Sequence, residues 1–310
     1  MATPFSFWLG FNIAVVVLLL LDLIVLGRRP RGPSLLESIV TTLVWIALAV
    51  GFGFWIMHQD GRSKGLEFFT GYLIEYALSM DNIFIFVLIF ASFKIAADQQ
   101  HRLLFWGVLG AMVMRGVMIG AGVALLNAFE WVIFLFGAYI IYAGFRMLFH
   151  RPESEVKVER HWVVRFARRC LPMSSGDHGG RFVVREAGRL KFTFLFLVLV
   201  VVELTDLVFA LDSIPAIFGV TRDPFIVYTS NVCAILGLRS LYFVLARAVK
   251  SLTYLHLGLA CVLIFIGAKM VCEDFLPIST DMSLLVVGGI LAVTIVASLL
   301  KTKLEGQPPV

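Results

Sequence analysis

The sequence predicts an all-α polytopic membrane protein with about nine transmembrane helices, which include two inverted three-helix repeats. The first observation behind this fold class is composition: 60% of the 310 residues are hydrophobic, 15% are charged, and the mean hydropathy is +0.93. Soluble domains have roughly 45–50% apolar and about 25% charged residues. The second observation is a series of long apolar runs, and the third is an internal similarity between two groups of these runs.

Nine apolar runs are long enough to cross a bilayer, because a spanning helix needs about 20 mostly apolar residues. The first run has no basic residue before it and is followed by Arg28, Arg29 and Arg31, so we expect a retained span rather than a cleaved signal peptide. The predicted spans cover 7–27, 36–57, 67–92, 102–126, 130–149, 191–218, 224–248, 252–272 and 283–301.

These spans divide the chain into five parts. In the third part we expect 161–169 (HWVVRFARR) to form an amphipathic helix at the anionic inner leaflet, and Asp177 and His178 to lie in a solvated turn. The parts are two N-terminal helices in 1–66, repeat 1 in 67–149, a cytoplasmic basic loop in 150–190, repeat 2 in 191–272, and a final helix with a short cytoplasmic tail in 273–310.

The basic residues predict the orientation, because cytoplasmic loops of membrane proteins carry an excess of Lys and Arg. In this chain they follow the first span, separate the third from the fourth, fill the basic loop and follow the last span. These places are all cytoplasmic if the N-terminus lies outside and the C-terminus inside. One outer loop is discordant, because it carries Arg62 and Lys64, although Asp60 and Glu67 roughly balance them, and elsewhere the outer loops are short or acidic. The net charge of +5 is thereby explained by the loops, so nucleic acid is not an expected partner.

The cysteines and catalytic motifs give no sign of an enzyme. The four cysteines, Cys170, Cys233, Cys261 and Cys272, show no CxxC spacing, and three of them lie in apolar segments. They are expected to be small buried hydrophobic residues that form neither disulfides nor a zinc site. No HExxH or GxSxG motif and no midspan histidine accompanies the apolar runs.

Spans 3–5 align with spans 6–8 as an internal repeat. The segment EYALSMDNIFIF, which begins at Glu75, matches DLVFALDSIPAIF, which begins at Asp206. Each unit has an odd number of spans, so the second unit must be inverted relative to the first, as in many secondary transporters. Further along, the repeat aligns Arg115 with Arg239, and GAYIIYAGFRM from Gly137 with ACVLIFIGAKM from Ala260.

The two leading spans of the repeats carry acidic residues in their middle. A charged side chain at the bilayer centre costs roughly 2.5–3.5 kcal/mol on insertion scales, so such residues are candidate functional residues. Their ligand atoms are all oxygens, which suit hard cations such as Mg²⁺, Ca²⁺ and Mn²⁺. The candidate metal-binding residues are Glu75, Asp81, Asn82, Glu203, Asp206, Asp212 and Ser213.

Arginines within the spans balance part of this negative charge. Arg115 and Arg239 are expected to be counter-ions, and purely structural ion pairs between them and the acids are the alternative to metal binding. Asp22 lies near the inner end of span 1, where we expect it to reach headgroup water.

Convergence of the acids requires an interrupted helix. Glu75 and Asp81 are six residues apart, which separates them by about 120° around a regular helix and about 9 Å along it. In the second repeat Pro215 cannot donate to the carbonyl of Leu211. We therefore expect a break beside Asp212, at a point where irregular backbone lines a cavity.

Three blocks, EYALSMDNIFIF, ELTDLVFALDSIPAIF and NVCAILGLRSLYF, resemble the TerC/Alx family of bacterial integral membrane proteins, and the similarity runs over about 20–275. The family is associated with tellurium resistance by name and is grouped with the LysE-type exporters. The resemblance implies Mn²⁺ efflux, a location in the bacterial inner membrane, and metal handling by the motif acids Glu75, Asp81, Glu203, Asp206 and Asp212.

The leading functional prediction is a secondary transporter that exports Mn²⁺ from the cytoplasm by proton exchange at midmembrane carboxylates. The expected partners are the transported cation (Mn²⁺, with Ca²⁺ and Mg²⁺ left open) and the lipid bilayer, with no tightly bound cofactor, and the oligomeric state is open. The alternative is a non-transporting membrane scaffold or assembly factor linked to metal or tellurite stress.

Overall fold

The computed structural model describes residues 4–26, 34–129, 131–149, 172–174, 180–186, 188–248, 254–272, 275 and 278–304. Within these ranges the regular secondary structure is helical apart from one two-stranded hairpin and an isolated bridge between Met173 and Phe192. The helices are α1 (Phe5–Leu26), α2 (Leu35–Asp60), α3 (Arg62–Ser92), α4 (Ala97–Ala128), α5 (Val132–Phe149), α6 (Phe194–Phe218), α7 (Pro224–Leu236), α8 (Leu238–Ala248), α9 (Leu255–Val271) and α10 (Thr280–Leu304), and the strands are β1 (Val183–Glu186) and β2 (Arg189–Phe192).

Seven of the described helices, α1–α6 and α10, are long and apolar enough to cross a membrane. The pair α7 and α8 bends by 43° and makes an eighth candidate if it is one broken span. Helix α9 is apolar but only 17 residues long. The chain is therefore a multi-pass membrane protein, and the count of nine spans stays a prediction.

The distribution of polar and apolar side chains fits a lipid environment. Large apolar side chains face outward, such as Val117 at 68% exposed and Val293 at 70% exposed. The largest fully buried side chain is instead a charged one, Arg115. Lipid can cover apolar residues at no cost, whereas a midspan charge needs protein partners.

Several helices begin at local capping signals. Ser34 and Glu37 form a capping box at α2: the Ser34 hydroxyl accepts from the Glu37 N–H at 3.2 Å, and the Glu37 carboxylate accepts from the Ser34 N–H at 2.9 Å. At α7 the Asp223 carboxylate accepts from the Phe225 N–H at 3.0 Å, and Pro224 occupies the first helical position. These signals place the helix starts where the apolar runs begin.

The expected break at Pro215 is wrong. Helix α6 continues through Pro215 to Phe218. Because the proline lies three residues before the helix end, it removes a backbone hydrogen bond only in the last turns. The interruption lies instead at Gly237, between α7 and α8.

The all-α prediction missed a hairpin, which lies at the end of the predicted basic loop and runs into the predicted start of the sixth span. Val183 pairs with Phe192 and Glu186 with Arg189 in antiparallel register. Gly188 lies in the turn with a φ of +79°, a conformation that favours glycine. The predicted amphipathic helix at 161–169 and the turn with Asp177 and His178 lie outside the described residues.

Helices α5 and α9 pack closely and run antiparallel. A Cβ added at Gly137 would lie 3.1 Å from the carbonyl oxygen of Gly267, and one added at Gly144 would lie 3.0 Å from the carbonyl oxygen of Ala260. Small residues therefore allow the two backbones to touch, as is common in membrane helix pairs.

Helices α1, α3 and α7 share one direction. The rings of Trp8 and Phe225, near the starts of α1 and α7, are 5.3 Å apart. Lys64 Nζ lies 2.9 Å from Asp223 Oδ2 near the starts of α3 and α7. We call the end of the bundle where α3 and α7 begin the first end, and the end where α1 and α3 finish the second end.

Candidate functional site

Arg115 of α4 lies at the middle of the bundle with two carboxylates and an amide around it. Its guanidinium donates to both oxygens of Asp206, from Nε and Nη2, at 3.1 Å each. Its Nη1 donates to Glu75 Oε1 and, at 3.1 Å, to Asn231 Oδ1. The Asn231 amide nitrogen donates to Glu75 Oε2 at 3.0 Å. We call these four residues, Glu75, Arg115, Asp206 and Asn231, the central cluster.

The central cluster is shielded from solvent and drawn from four helices. Glu75, Arg115 and Asn231 are 0% exposed, and Asp206 is 3% exposed. Helices α3 and α4 supply Glu75 and Arg115, and helices α6 and α7 supply the other two. Charge-assisted bidentate pairing of this kind is strong and directional. The cluster therefore joins side chains from both predicted repeats.

Sequence reasoning missed Asn231 as a site residue. It appeared only as the first letter of an aligned block, NVCAILGLRSLY. A polar amide inside an apolar span was the available signal, because such residues usually find a hydrogen-bond partner within the bundle. Ser79, one turn after Glu75, also donates to Glu75 Oε1, at 3.2 Å.

Glu203 lies one turn before Asp206 on α6 and has no place in the hydrogen bonds of the cluster. Its Oε2 is buried with no hydrogen-bond partner among the described residues. The carboxylate packs against Gly110 of α4, where an added Cβ would lie 2.1 Å from Glu203 Oε1. Buried carboxylate oxygens normally accept at least one hydrogen bond, so this oxygen lacks a partner that such a position usually has.

The remaining candidate ligands do not join the central cluster. The Tyr139 hydroxyl of α5 donates to Asp212 Oδ1 at 2.7 Å, so Asp212 faces a different helix from Asp206. Ser213 is buried, and its hydroxyl has no partner among the described residues. Asn82 is buried at 3% exposed. The backbone of Asp81 continues α3, but its side chain lies outside the described part of the structure.

Arg239, which the predicted repeat aligns with Arg115, does not balance the central acids. Its Nη2 forms an ion pair with Asp22 Oδ2 of α1 and also donates to the Asp22 backbone carbonyl at 3.4 Å. The side chains are 5% and 10% exposed, respectively. Asp22 therefore does not reach headgroup water as the sequence suggested, because it neutralises a buried guanidinium.

The arrangement has an excess of negative charge. One guanidinium faces the carboxylates of Glu75 and Asp206, and Glu203 adds a third carboxyl group nearby on α6. Within the described residues no group of three His, Cys, Asp or Glu side chains has metal-binding geometry. Four of the oxygens that could bind a cation at the cluster accept from Arg115 here: both of Asp206, Glu75 Oε1 and Asn231 Oδ1.

Comparisons with known proteins agree on one family. Residues 60–305 match the TerC family of integral membrane proteins. An uncharacterized membrane protein of Myxococcus xanthus is 46% identical over 296 residues, which cover 96% of this chain and 92% of that protein. A putative membrane-bound redox modulator, Alx, of Escherichia coli K12 is 43% identical over 299 residues, which cover 93% and 92% of the two chains. An uncharacterized membrane protein of Rickettsia felis is 37% identical over 294 residues, with 95% and 97% covered.

No solved structure matches the chain. The family match covers most of the sequence, including all four residues of the central cluster, and the relatives match over nearly their full length. The resemblance seen in the acidic blocks is thereby confirmed at the level of the family. This chain belongs to the TerC family of integral membrane proteins.

Proposed function

We propose that the protein is a secondary transporter that exports a divalent cation, with Mn²⁺ as the expected substrate, in exchange for protons at midmembrane carboxylates. One observation carries the proposal: Glu75 and Asp206, from the two predicted repeats, meet at a single buried guanidinium in mid-bundle. Intramembrane ionisable residues of this kind mark ion pathways.

The chemistry of the cluster suits a hard cation. Carboxylate, amide and hydroxyl oxygens come from Glu75, Asp206, Asn231 and Ser79. Such ligands favour Mg²⁺, Ca²⁺ and Mn²⁺ over soft metals. In the proposed cycle Arg115 holds the acids when no metal is bound, and a cation or protons compete with the guanidinium for the same oxygens.

The contacts between α5 and α9 support an inverted repeat. The sequence alignment equates Gly137 with Ala260 and Gly144 with Gly267. In the structure Gly137 touches Gly267, and Gly144 touches Ala260. If each residue is replaced by its aligned partner, the first contact turns into the second. A two-fold axis between the two helices requires this relation. Inverted repeats related by such an axis are common in secondary transporters.

The proposed location is the bacterial inner membrane, with the N-terminus outside and the C-terminus in the cytoplasm. The distribution of Lys and Arg in the loops supports this orientation. It places the second end of the bundle on the cytoplasmic side, so export carries the cation from the second end to the first.

Metal flux into proteoliposomes tests the proposal. Purified wild-type protein should take up Mn²⁺ into liposomes when a proton gradient directed out of them drives the exchange. Competition by Ca²⁺ and Mg²⁺ for this uptake should give the selectivity. Asp206→Asn and Glu75→Gln keep the side-chain size but remove the charge that balances Arg115 and attracts the cation. We expect both variants to lower the flux to the level of empty liposomes.

A matched control comes from the surface of the same bundle. Asp281 pairs with Arg62 at 2.8 Å, and both side chains are more than half exposed. Exposed pairs contribute little, about 0–1 kcal/mol, so Asp281→Asn should transport like the wild type. Wild-type flux in folded Asp206→Asn protein would show that the cluster is not the transport site.

A membrane scaffold is the second candidate function. It is favoured by the complete bonding of Arg115, because a guanidinium satisfied by two carboxylates and an amide also serves as a purely structural tie. The relatives named putative membrane-bound redox modulators suit a role other than transport. Wild-type liposomes without any metal flux, together with a stable protein partner in pull-downs, would favour this function.

A further inference from the structure

Two more polar layers lie on either side of the central cluster. The first layer, at the first end, consists of Lys64, Glu67, Thr221 and Asp223. Lys64 Nζ lies 2.9 Å from Asp223 Oδ2 and 3.3 Å from Glu67 Oε2. The Thr221 hydroxyl donates to Glu67 Oε2 at 2.5 Å. Every side chain of the first layer therefore has a polar partner.

The second layer lies toward the second end and consists of Asp22, His101 and Arg239. It brings together three different parts of the chain: α1, which precedes both predicted repeats, α4 of the first and α8 of the second. Asp22 and Arg239 form its ion pair. His101 packs against α8 one turn after Arg239, where its ring centroid is 6.2 Å from that of Phe243.

The two layers are evenly spaced about the central cluster. Glu67 precedes Glu75 by eight residues on α3, and Arg239 follows Asn231 by eight residues across α7 and α8. At 1.5 Å per residue the first separation is about 12 Å along α3, and the second is slightly shorter because the chain bends by 43° at Gly237. The two layers therefore flank the central cluster along the axis of the bundle.

The second layer is less completely bonded than the first. Arg239 Nη1 and both ring nitrogens of His101 are buried without a hydrogen-bond partner among the described residues. Buried polar atoms normally find partners, so an arrangement that leaves three of them unpaired is poorly stabilised. Opening this layer would expose these three atoms to water, which can satisfy them.

The chain also has a bend beside this layer. Arg239 lies two residues after Gly237, where α7 and α8 meet at 43°. Earlier along the same helices, Tyr228 of α7 donates to Asn12 of α1 at 2.7 Å. Helix α1 is thus tied to α7 before the bend and to α8 after it. Helix α8 is also tied to α4, because Tyr242 donates to Gln100 at 3.0 Å, so a turn of α8 has to release both of its contacts.

We propose that Asp22 is a positioning residue of the transport cycle, which holds Arg239 so that the second layer closes the path between the central cluster and the second end. The layer opens when Arg239 leaves Asp22 and α8 turns at Gly237. The proposal rests on the proposed function, which needs a closed layer on one side of the site while the other side is open. Under the proposed orientation this layer is the cytoplasmic gate.

Cysteine labelling tests the gate without any metal flux. Ile235 is 1% exposed and lies one helical turn after Asn231, between the central cluster and Arg239. Ile235→Cys would be placed in a full-length chain whose four native cysteines are changed to serine. Reaction with a water-soluble maleimide added at the second end should be several-fold faster with Asp22→Asn than with Asp22 intact. Asp22→Glu keeps the charge and should restore slow labelling.

A second variant controls for misfolding, which the unpaired charge of Arg239 could cause in Asp22→Asn. Asp22→Asn combined with Arg239→Gln removes both charges at nearly constant size and should also label fast. Asn12→Leu removes the hydrogen bond between α1 and α7, which lies before the bend, and should leave labelling slow. Equal labelling of the wild type and both Asp22→Asn chains would overturn the gate.

The two proposals fail in different ways. If wild-type liposomes carry no metal but labelling still responds to Asp22, the transport function fails and a movable second layer remains. If metal flux is normal in the wild type and in Asp22→Asn, and labelling is unchanged, the gate fails and the transport function remains.

Discussion

Glycine at position 110 decides where an acidic side chain can lie. The Glu203 carboxylate occupies the space beside the Gly110 backbone, with Oε1 2.1 Å from the position of an added Cβ. One turn earlier on the same helix, Gly107 is less crowded, because a Cβ there would meet Val202 at 3.5 Å. Alanine at position 110 would compete with the Glu203 carboxylate for space, whereas alanine at position 107 would not. Comparing the two variants therefore isolates the effect of displacing Glu203.

We expect Gly110→Ala to displace the Glu203 carboxylate and to lower metal flux, while Gly107→Ala leaves it near wild type. The carboxylate is the far end of a flexible side chain and can turn aside, so the first variant should unfold at a temperature close to that of the wild type in detergent. Flux in proteoliposomes and thermal unfolding are the measurements. Equal flux in the two variants would mean that the position of Glu203 has no part in transport.

At the scale of elements, the pairing of α5 and α9 depends on small residues. A Cβ at Gly267 would lie 2.7 Å from the Gly137 carbonyl oxygen and 2.9 Å from the Ile141 nitrogen. Backbone atoms cannot turn aside as a side chain can, so the whole helix has to shift. The reciprocal contact of Gly144 with Ala260 predicts that both ends of the pair are equally sensitive.

Gly267→Ala and Gly144→Ala should each destabilise the protein by about 1–3 kcal/mol, the usual cost of overpacking. Gly120→Ala on α4 is the control, since a Cβ there meets nothing within 4 Å. Denaturant unfolding in micelles measures the free energies. A large loss from one α5–α9 variant and none from the other would contradict the two-fold relation between these helices.

At the scale of the whole molecule, the number of spans decides the topology. Seven described helices are clear candidates, the bent pair α7 and α8 makes an eighth, and α9 has 17 residues. That length is at the lower limit for crossing about 30 Å of hydrocarbon. If α9 crosses, the count is nine and the two termini lie on opposite sides.

Reporter fusions test this arrangement directly. We expect a phosphatase that is active only outside the cytoplasm to work at the N-terminus, and a fluorescent protein that matures in the cytoplasm to work at the C-terminus. The physical reason is the excess of Lys and Arg in the loops that would face inward. Termini on the same side would exclude nine spans and remove one membrane crossing from the second repeat.

The sequence by itself determined the class of the protein and most of the residues of its candidate site. Long apolar runs are sufficient to identify spans, because lipid accepts only internally bonded backbone. Charges within those runs are rare and costly, so Glu75, Asp206 and Arg115 stood out without any structure. Their alignment between two groups of spans also predicted that residues from both would meet, and Glu75 and Asp206 do meet at Arg115.

Only the tertiary structure decided which charge pairs with which. It directed Arg239 to Asp22, Asp212 to Tyr139, and brought Asn231 into the central cluster. Helical periodicity indicates which residues share one face of a helix, but not which neighbour that face meets. That choice depends on the rotation and packing of whole helices, which long-range contacts set together.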